Sequence, residues 1–189
     1  MHEDRLYKAE KLCRHYLKEH PKDVEGMRLL AGLGLRLNVL DDAEFLLESA
    51  LEFQPNFDLA RLDYVKVLHK RQKFQKAYEQ ALESVNIASR QRVLDLGVNR
   101  GDEFALIKAM VDEAAFAGME LVGVDYSASA IAYAKETFPE ANISFFEHDI
   151  TDLKSLSLKP FDLIVSIGTF QSPGINFKTL LMDLVQNYL

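Results

Sequence analysis

The sequence has few of the residues that crosslink or interrupt a folded chain. Its 189 residues include 1 cysteine, no tryptophan, 5 prolines and 9 glycines. The single Cys13 excludes an intrachain disulfide and any metal site built from several cysteines. Scarce glycine and proline, with 48% apolar residues, indicate a globular chain rather than a disordered or fibrous one. No apolar run approaches the roughly 20 residues that cross a bilayer.

Charge is distributed unevenly along the chain. Residues 1–90 hold 15 basic and 15 acidic residues, whereas residues 91–189 hold 7 and 14, so the second half carries the net charge of −7. Nucleic acid is disfavoured as a partner, because surplus carboxylates repel phosphates. The charged N-terminal MHEDRLYKAEK has no apolar secretory region, which predicts a cytoplasmic protein away from membranes. The change near residue 90 predicts a domain boundary.

The first half contains an internal repeat. The segments KAEKLCRHYLKEHPKD (8–23) and DAEFLLESALEFQPNF (42–57) align, and Ala9, Ala43 and Ala77 are each 34 residues apart. A fixed period near 34 is typical of stacked helix–turn–helix units. The alanines would lie where two helices cross closely, and the prolines would follow helix ends that they cannot continue.

Residues 1–88 therefore resemble tetratricopeptide repeats, beginning with an unpaired second helix. Gly32 and Gly34 fall inside a predicted helix, where we expect close packing against a neighbouring helix to favour them. The resemblance implies a concave groove that binds a peptide or a protein. The alternative is that these helices only pack onto the second domain. The residues that resemble the groove-facing set are Glu25, Arg28, Gly32, Leu35, Leu62, Lys66 and His69.

The second half alternates between strands and helices. Apolar strands are predicted at 93–96, 120–127, 143–150 and 161–169, with a helix after the first, second and fourth. Such alternation predicts a doubly wound α/β fold with a mostly parallel Rossmann-like sheet in residues 89–189. The chain stops in the helix after the fourth strand, so we expect an incomplete sheet of order 3-2-1-4 with strand four at an edge.

The turn RVLDLGVNRGD (92–102) distinguishes between nucleotide ligands. Its G-V-N-R-G spacing departs from the G-x-G-x-x-G of nicotinamide enzymes. Asp95 would repel a pyrophosphate but attract an ammonium group. Asp125 ends the next strand, where it can accept hydrogen bonds from a ribose diol, and Asp149 ends the third strand, near an adenine amino group. These acids should therefore meet at one crevice, because parallel strands end at one edge of a sheet.

Together these motifs resemble the S-adenosylmethionine-dependent methyltransferases of the Rossmann-like class, over about residues 86–189. The resemblance implies S-adenosylmethionine as the cofactor. Asp95 would hold its amino group, Asp125 its ribose and Asp149 its adenine. Asn99 stands where glycine is commoner, and asparagine tolerates the left-handed backbone that the turn needs. The remaining implied cofactor residues are Gly97, Gly101, Tyr126, Ile150, Ser166 and Gly168.

The methyl acceptor and the catalytic residue cannot be read from this sequence. Gln171, Ser172 and Asn176 follow the fourth strand, where they would either touch a polar substrate or form turns. The resemblance implies a methyltransferase. Strands beyond the fourth normally complete the substrate pocket in this family, so an inactive domain that keeps its cofactor contacts is one alternative. An exposed fourth strand favours pairing with a second copy. The alternative function is a non-catalytic interaction scaffold with a degenerate Rossmann-like domain.

Overall fold

The computed structural model describes residues 2–189, without the side chains of residues 2–4. The chain divides into two compact units, residues 1–85 and 86–189. The first is helical and the second combines a parallel sheet with helices. Within the described residues, no helix is both long and apolar enough to cross a membrane.

The first unit is built from consecutive helices that pack on one another. Two helices begin 34 residues apart, at Val24 and Asp58, and two others begin 34 residues apart, at Leu40 and Phe74. This spacing matches the period of the sequence. Ala43 and Ala77 are buried in the helical core as predicted, whereas Ala9 is only half-buried. The assignment to tetratricopeptide repeats stays a prediction. The helices are α1 (His2–Glu19), α2 (Val24–Leu37), α3 (Leu40–Phe53), α4 (Asp58–Lys70) and α5 (Phe74–Ser84).

Gly32 and Gly34, two of the three glycines of α2, have different surroundings. A Cβ atom added at Gly34 would lie 3.0 Å from the carbonyl oxygen of Val39 and 3.3 Å from Cβ of Ala43, so this glycine permits close packing. A Cβ added at Gly32 would meet nothing within 4 Å. The predicted close packing is therefore confirmed at Gly34 and wrong at Gly32, because Gly32 faces open space.

This difference predicts opposite effects on stability. Gly32→Ala should raise the free energy of unfolding by up to about 1 kcal/mol, because alanine favours a helix and no atom obstructs it. Gly34→Ala should lower it by roughly 1–2 kcal/mol, because the backbone at Val39 cannot move aside without repacking. Urea unfolding of the two variants measures both effects. Equal effects of the two substitutions would contradict the assigned packing.

The second unit contains a four-stranded parallel sheet of order β3-β2-β1-β4. This confirms the predicted order and places β1 between β2 and β4. The central strands β1 and β2 are almost entirely buried, in agreement with their apolar sequences. The strands are β1 (Arg92–Leu96), β2 (Glu120–Asp125), β3 (Ile143–Glu147) and β4 (Leu163–Val165).

Helices cover both faces of this sheet. Leu94 and Leu96 pack on one face with residues of the last helix, including Leu184. In the same unit, the ring of Phe104 contacts the rings of Phe138 and Phe145, and these two rings also contact each other. The helices are α6 (Asp102–Met110), α7 (Glu113–Gly118), α8 (Ala128–Thr137) and α9 (Phe177–Asn187).

The single helix predicted at 103–116 is in fact two helices. The chain is extended at Val111 and Asp112, and the Asp112 carboxylate accepts a hydrogen bond of 2.8 Å from the backbone N–H of Ala115. An aspartate that caps a helix competes with the continuation of the preceding helix. The prediction was wrong here because apolar spacing continues across the break.

Candidate functional site

A cleft of about 600 Å³ opens at the carboxyl ends of the strands. Segments that follow all four strands contribute to it, as expected for an open parallel sheet. Its lining residues are Gly97, Asn99, Asp125, Tyr126, Ser127, Asp149, Ile150, Ile167, Gly168, Thr169, Ser172, Pro173 and Ile175.

The turn after β1 is shaped by residues with left-handed backbone angles. Gly97, Asn99 and Gly101 have φ of 79°, 46° and 85°. The predicted tolerance of Asn99 for this conformation is therefore confirmed. The Gly97 N–H donates to the carbonyl of Val124 at 2.8 Å. A Cβ at Gly97 would lie 2.0 Å from Oγ1 of Thr169, so only glycine fits.

Asp125 connects this turn to the start of α8. Its side chain is 7% exposed. Oδ2 accepts the backbone N–H of Asn99 at 3.0 Å, and Oδ1 accepts that of Ser127 at 2.8 Å. Each carboxylate oxygen can accept a second hydrogen bond. Asp125 therefore fixes the cleft wall and can still accept bonds from a ligand.

Asp95 lies at the end of β1 and is 1% exposed. Its Oδ2 atom has no hydrogen-bond partner among the described residues. Burial raises the pKa of Asp95 well above the usual aspartate value, and the negative charges of Glu103 and Asp125 raise it further. A buried carboxylate oxygen without a partner is costly, so a cationic donor that reached it would be favoured.

The opposite end of the cleft is more accessible. Asp149 is exposed, and its Oδ1 accepts hydrogen bonds from the backbone N–H and the hydroxyl of Thr151 at 2.8 and 2.7 Å. These bonds hold the pKa of Asp149 below the usual aspartate value. Ile150 beside it is buried, whereas Tyr126, which also lines the cleft, is 84% exposed.

Several predicted site residues do not line the cleft. Asp95 is buried behind it, and Ser166 donates its hydroxyl to the carbonyl of Leu96 at 3.2 Å. Asn176 accepts the backbone N–H of Thr179 at 3.1 Å and thereby caps α9. This favours the turn-forming alternative for Asn176. The predicted residues outside the lining are Asp95, Gly101, Ser166, Gln171 and Asn176.

The cleft also contains residues that the sequence did not single out. Thr169 donates its hydroxyl to the carbonyl of Leu96 at 3.0 Å and packs against Gly97. The sequence pattern placed Thr169 in a strand at 161–169, whereas the strand ends at Val165 and Thr169 begins a short 3-10 helix. Only its position just after the fourth strand could have indicated it. The additional lining residues are Ser127, Thr169, Pro173 and Ile175.

Known proteins support a methyltransferase domain in this unit. Residues 93–184 match the family described as "Methyltransferase domain". This match supports the predicted cofactor, S-adenosylmethionine. The chain is 31% identical over 86 residues to "Putative methyltransferase 235L" of Invertebrate iridescent virus 6. That alignment covers 45% of this chain and 29% of the viral protein.

Solved structures show more distant likeness. The N-methyltransferase NodS from Bradyrhizobium japonicum WM9 is 18% identical, with a TM-score of 0.47 over 62% of this chain and 64% of that one. A TehB-like SAM-dependent methyltransferase from Corynebacterium glutamicum is 22% identical, with a TM-score of 0.44 over 67% of each chain. Likeness of this degree carries no functional conclusion. The chain spans less than a third of its viral relative.

Proposed function

We propose that residues 86–189 bind S-adenosylmethionine and take part in methyl transfer. The observation that carries this proposal is the buried Oδ2 atom of Asp95, which has no hydrogen-bond partner among the described residues, together with a cleft whose walls include Asp125 and Asp149. A ligand with an ammonium group, a ribose diol and an adenine complements these acids. The family match at residues 93–184 supports the same function.

The glycine turn and Asp95 would hold the methionine part of the ligand. The Oδ2 atom of Asp95 needs a donor, and the ammonium group supplies one. Gly97 and Asn99 line the cleft, so their backbone would lie against the ligand. Gly101 lies outside the lining, and a Cβ there would meet the Phe138 ring at 2.7 Å, so this glycine serves packing. Asp125 would accept bonds from the ribose hydroxyls, because its oxygens retain accepting capacity.

The adenine would occupy the end of the cleft that follows β3. Asp149 would accept a hydrogen bond from the exocyclic amino group, and the backbone N–H of Ile150 would donate to a ring nitrogen. Tyr126 would lie against the purine, where its exposed ring can be covered. Asp149 stays ionised as an acceptor because its pKa is held low.

The segment after β4 would surround the methyl-donor end. Bound S-adenosylmethionine supplies an electrophilic methyl group, so the protein needs mainly to orient the acceptor. Gly168 and Ser172 line this part of the cleft, and Ser166 supports it through the Leu96 carbonyl. No residue is assigned as a catalytic base.

Calorimetry with S-adenosylhomocysteine tests the binding part of this proposal. We expect micromolar-range affinity and a stoichiometry of one, because one cleft holds all the proposed contacts. The S-adenosylmethionine titration should give comparable affinity. Adenosine alone should bind more weakly, since it cannot reach Asp95. Absence of heat with each ligand, on protein shown to be folded by circular dichroism, would overturn the proposal.

A second candidate function is protein binding by the helical unit. A groove of about 550 Å³ has Arg28, Leu29, Gly32 and Lys66 among its lining residues. A Cβ at Gly32 would meet no atom within 4 Å, so the groove is open at this position. A helical glycine without a packing reason favours close approach by another chain. Leu29→Arg should abolish binding of a protein to this groove and leave S-adenosylhomocysteine binding unchanged. That result would support protein binding as a function in addition to cofactor binding.

Self-association through β4 also stays a proposal. β4 lies at one edge of the sheet, so one row of its backbone groups is unpaired within the described sheet. The adjoining α9 exposes Phe177, Leu181, Met182 and Val185. A dimer joined at β4 would cover both features, and sedimentation velocity at several concentrations would detect it.

A further inference from the structure

Thr169 attaches the segment after β4 to the end of β1. The pairing of these two strands ends at Asp95 and Val165. Just beyond this pair, the Leu96 carbonyl accepts two side-chain hydroxyls, from Ser166 at 3.2 Å and from Thr169 at 3.0 Å. The segment that follows β4 is therefore held at the carboxyl end of β1.

The side chain of Thr169 lies directly on Gly97. A Cβ atom built at Gly97 would be 2.0 Å from Oγ1 of Thr169 and 2.9 Å from both its Cβ and its Cγ2. The threonine thus occupies the space that a side chain at Gly97 would need. Both residues line the cleft, whereas Ser166, which donates to the same carbonyl, lies outside the lining. Thr169 is therefore a wall of the cleft as well as an anchor.

The order of the strands indicates which part of the ligand would lie beside this wall. The cleft runs along the carboxyl ends of strands in the order β3-β2-β1-β4. In the proposed function, the adenine lies at the end of β3 and the ribose at Asp125, which ends β2. The sulfur is bonded to C5′ of the ribose and the adenine to C1′, so the two extend from opposite sides of the sugar ring. The sulfur would thus come next, at the end of β1, where Thr169 packs against Gly97.

We propose that Thr169 limits the size of the group that the ligand can carry on its sulfur. This inference rests on the proposed function and adds a specificity-determining residue to it. A methyl group would fit beside Thr169, whereas the extra methylene of an ethyl group would require the threonine to move. Its movement is opposed on two sides, because the hydroxyl is bonded to the Leu96 carbonyl and the side chain already lies against Gly97.

The two branches of the threonine side chain can be tested separately. Thr169→Val keeps the size of the side chain and removes the hydroxyl. Thr169→Ser keeps the hydroxyl and removes one methyl group. If size sets the limit, selectivity against an ethyl group should survive in the valine variant and fall in the serine variant. Thr169→Ala opens the same space without the hydroxyl and should lower the selectivity as well, so the test does not depend on one variant.

Calorimetry on the full chain with three ligands measures this selectivity. S-adenosylhomocysteine carries no group in the methyl position, S-adenosylmethionine carries a methyl group, and S-adenosylethionine carries an ethyl group. One extra methylene in a fitted pocket changes affinity by roughly 10–200-fold, so we expect S-adenosylethionine to bind the unmodified chain at least about tenfold more weakly than S-adenosylmethionine. The ratio of these two Kd values should fall several-fold in Thr169→Ser and stay unchanged in Thr169→Val.

Ser166→Ala is the matched control. It removes the other hydroxyl from the Leu96 carbonyl, but Ser166 does not line the cleft. A general loosening of the segment would weaken the binding of the three ligands alike and would not change their ratio. We therefore expect the ratio of the unmodified chain in this variant, whatever the change in the individual Kd values.

The outcomes separate this inference from the proposed function. Equal affinity of the unmodified chain for S-adenosylmethionine and S-adenosylethionine overturns the inference and leaves the function standing. An equal fall of the ratio in Thr169→Ser and Ser166→Ala, or a fall in Thr169→Val, attributes the selectivity to the bonds at Leu96 and overturns the role of side-chain size. Absence of binding of all three ligands, on protein shown to be folded by circular dichroism, overturns both the function and the inference.

Discussion

Gly97→Ala is expected to lower the free energy of unfolding of the second unit by roughly 2–5 kcal/mol. A side chain in the left-handed region costs roughly 1–2 kcal/mol. Overpacking against a fixed neighbour adds about 1–3 kcal/mol. Both apply here, because φ is 79° and the new Cβ would lie 2.0 Å from Oγ1 of Thr169 and 2.9 Å from its Cβ.

Gly168→Ala is the matched control for this change. Gly168 has φ of 76°, but a Cβ there would meet nothing within 4 Å. Its substitution should therefore show the backbone cost alone. The double variant Gly97→Ala with Thr169→Gly should recover part of the loss. Chemical denaturation of all four proteins measures these differences, and equal losses at Gly97 and Gly168 would show that Thr169 does not constrain the turn.

Asp125→Ala is expected to weaken S-adenosylhomocysteine binding by roughly 1–3 kcal/mol, which is about 5–150-fold in Kd. The substitution removes charged acceptors for the ribose hydroxyls. It also removes the bonds that hold the N–H groups of Asn99 and Ser127. Calorimetry gives the affinity, and an unchanged Kd would mean that the ribose is held elsewhere.

Asp112→Ala separates ligand binding from simple loss of structure. Asp112 likewise accepts a backbone N–H in the second unit, from Ala115, but it does not line the cleft. Loss of such a cap costs about 0.5–2 kcal/mol of stability. We therefore expect reduced stability with unchanged Kd. A comparable loss of affinity in both variants would attribute the Asp125 effect to general destabilisation.

The sheet was predictable because apolar strands and their connections leave strong patterns. The order β3-β2-β1-β4 agrees with the prediction, and the segments that end in Asp125 and Asp149 meet at one cleft. The position of Asp95 behind that cleft was not predictable. A sequence shows that an acid ends a strand, but it does not show how closely neighbouring loops cover the side chain.

Local packing also accounts for the other differences between the predicted and the observed structure. Gly32 and Gly34 have similar places in the helical pattern, yet only Gly34 contacts a neighbouring helix. Thr169 was missed because the fourth strand was predicted to continue to residue 169, whereas it ends at Val165 and the segment after it brings Thr169 against Gly97. The break before Asp112 was missed because one capping aspartate does not interrupt the apolar spacing.

The order of the strands gives the cleft a gradient of rigidity along its length. β1 and β2 are each paired on both sides, whereas β3 and β4 are paired on one side. Amides of doubly paired strands exchange with solvent deuterium only through larger openings than those of edge strands. The centre of a ligand lying along this cleft would thus rest on the slowest-exchanging backbone. Its two ends would rest on backbone that opens more readily.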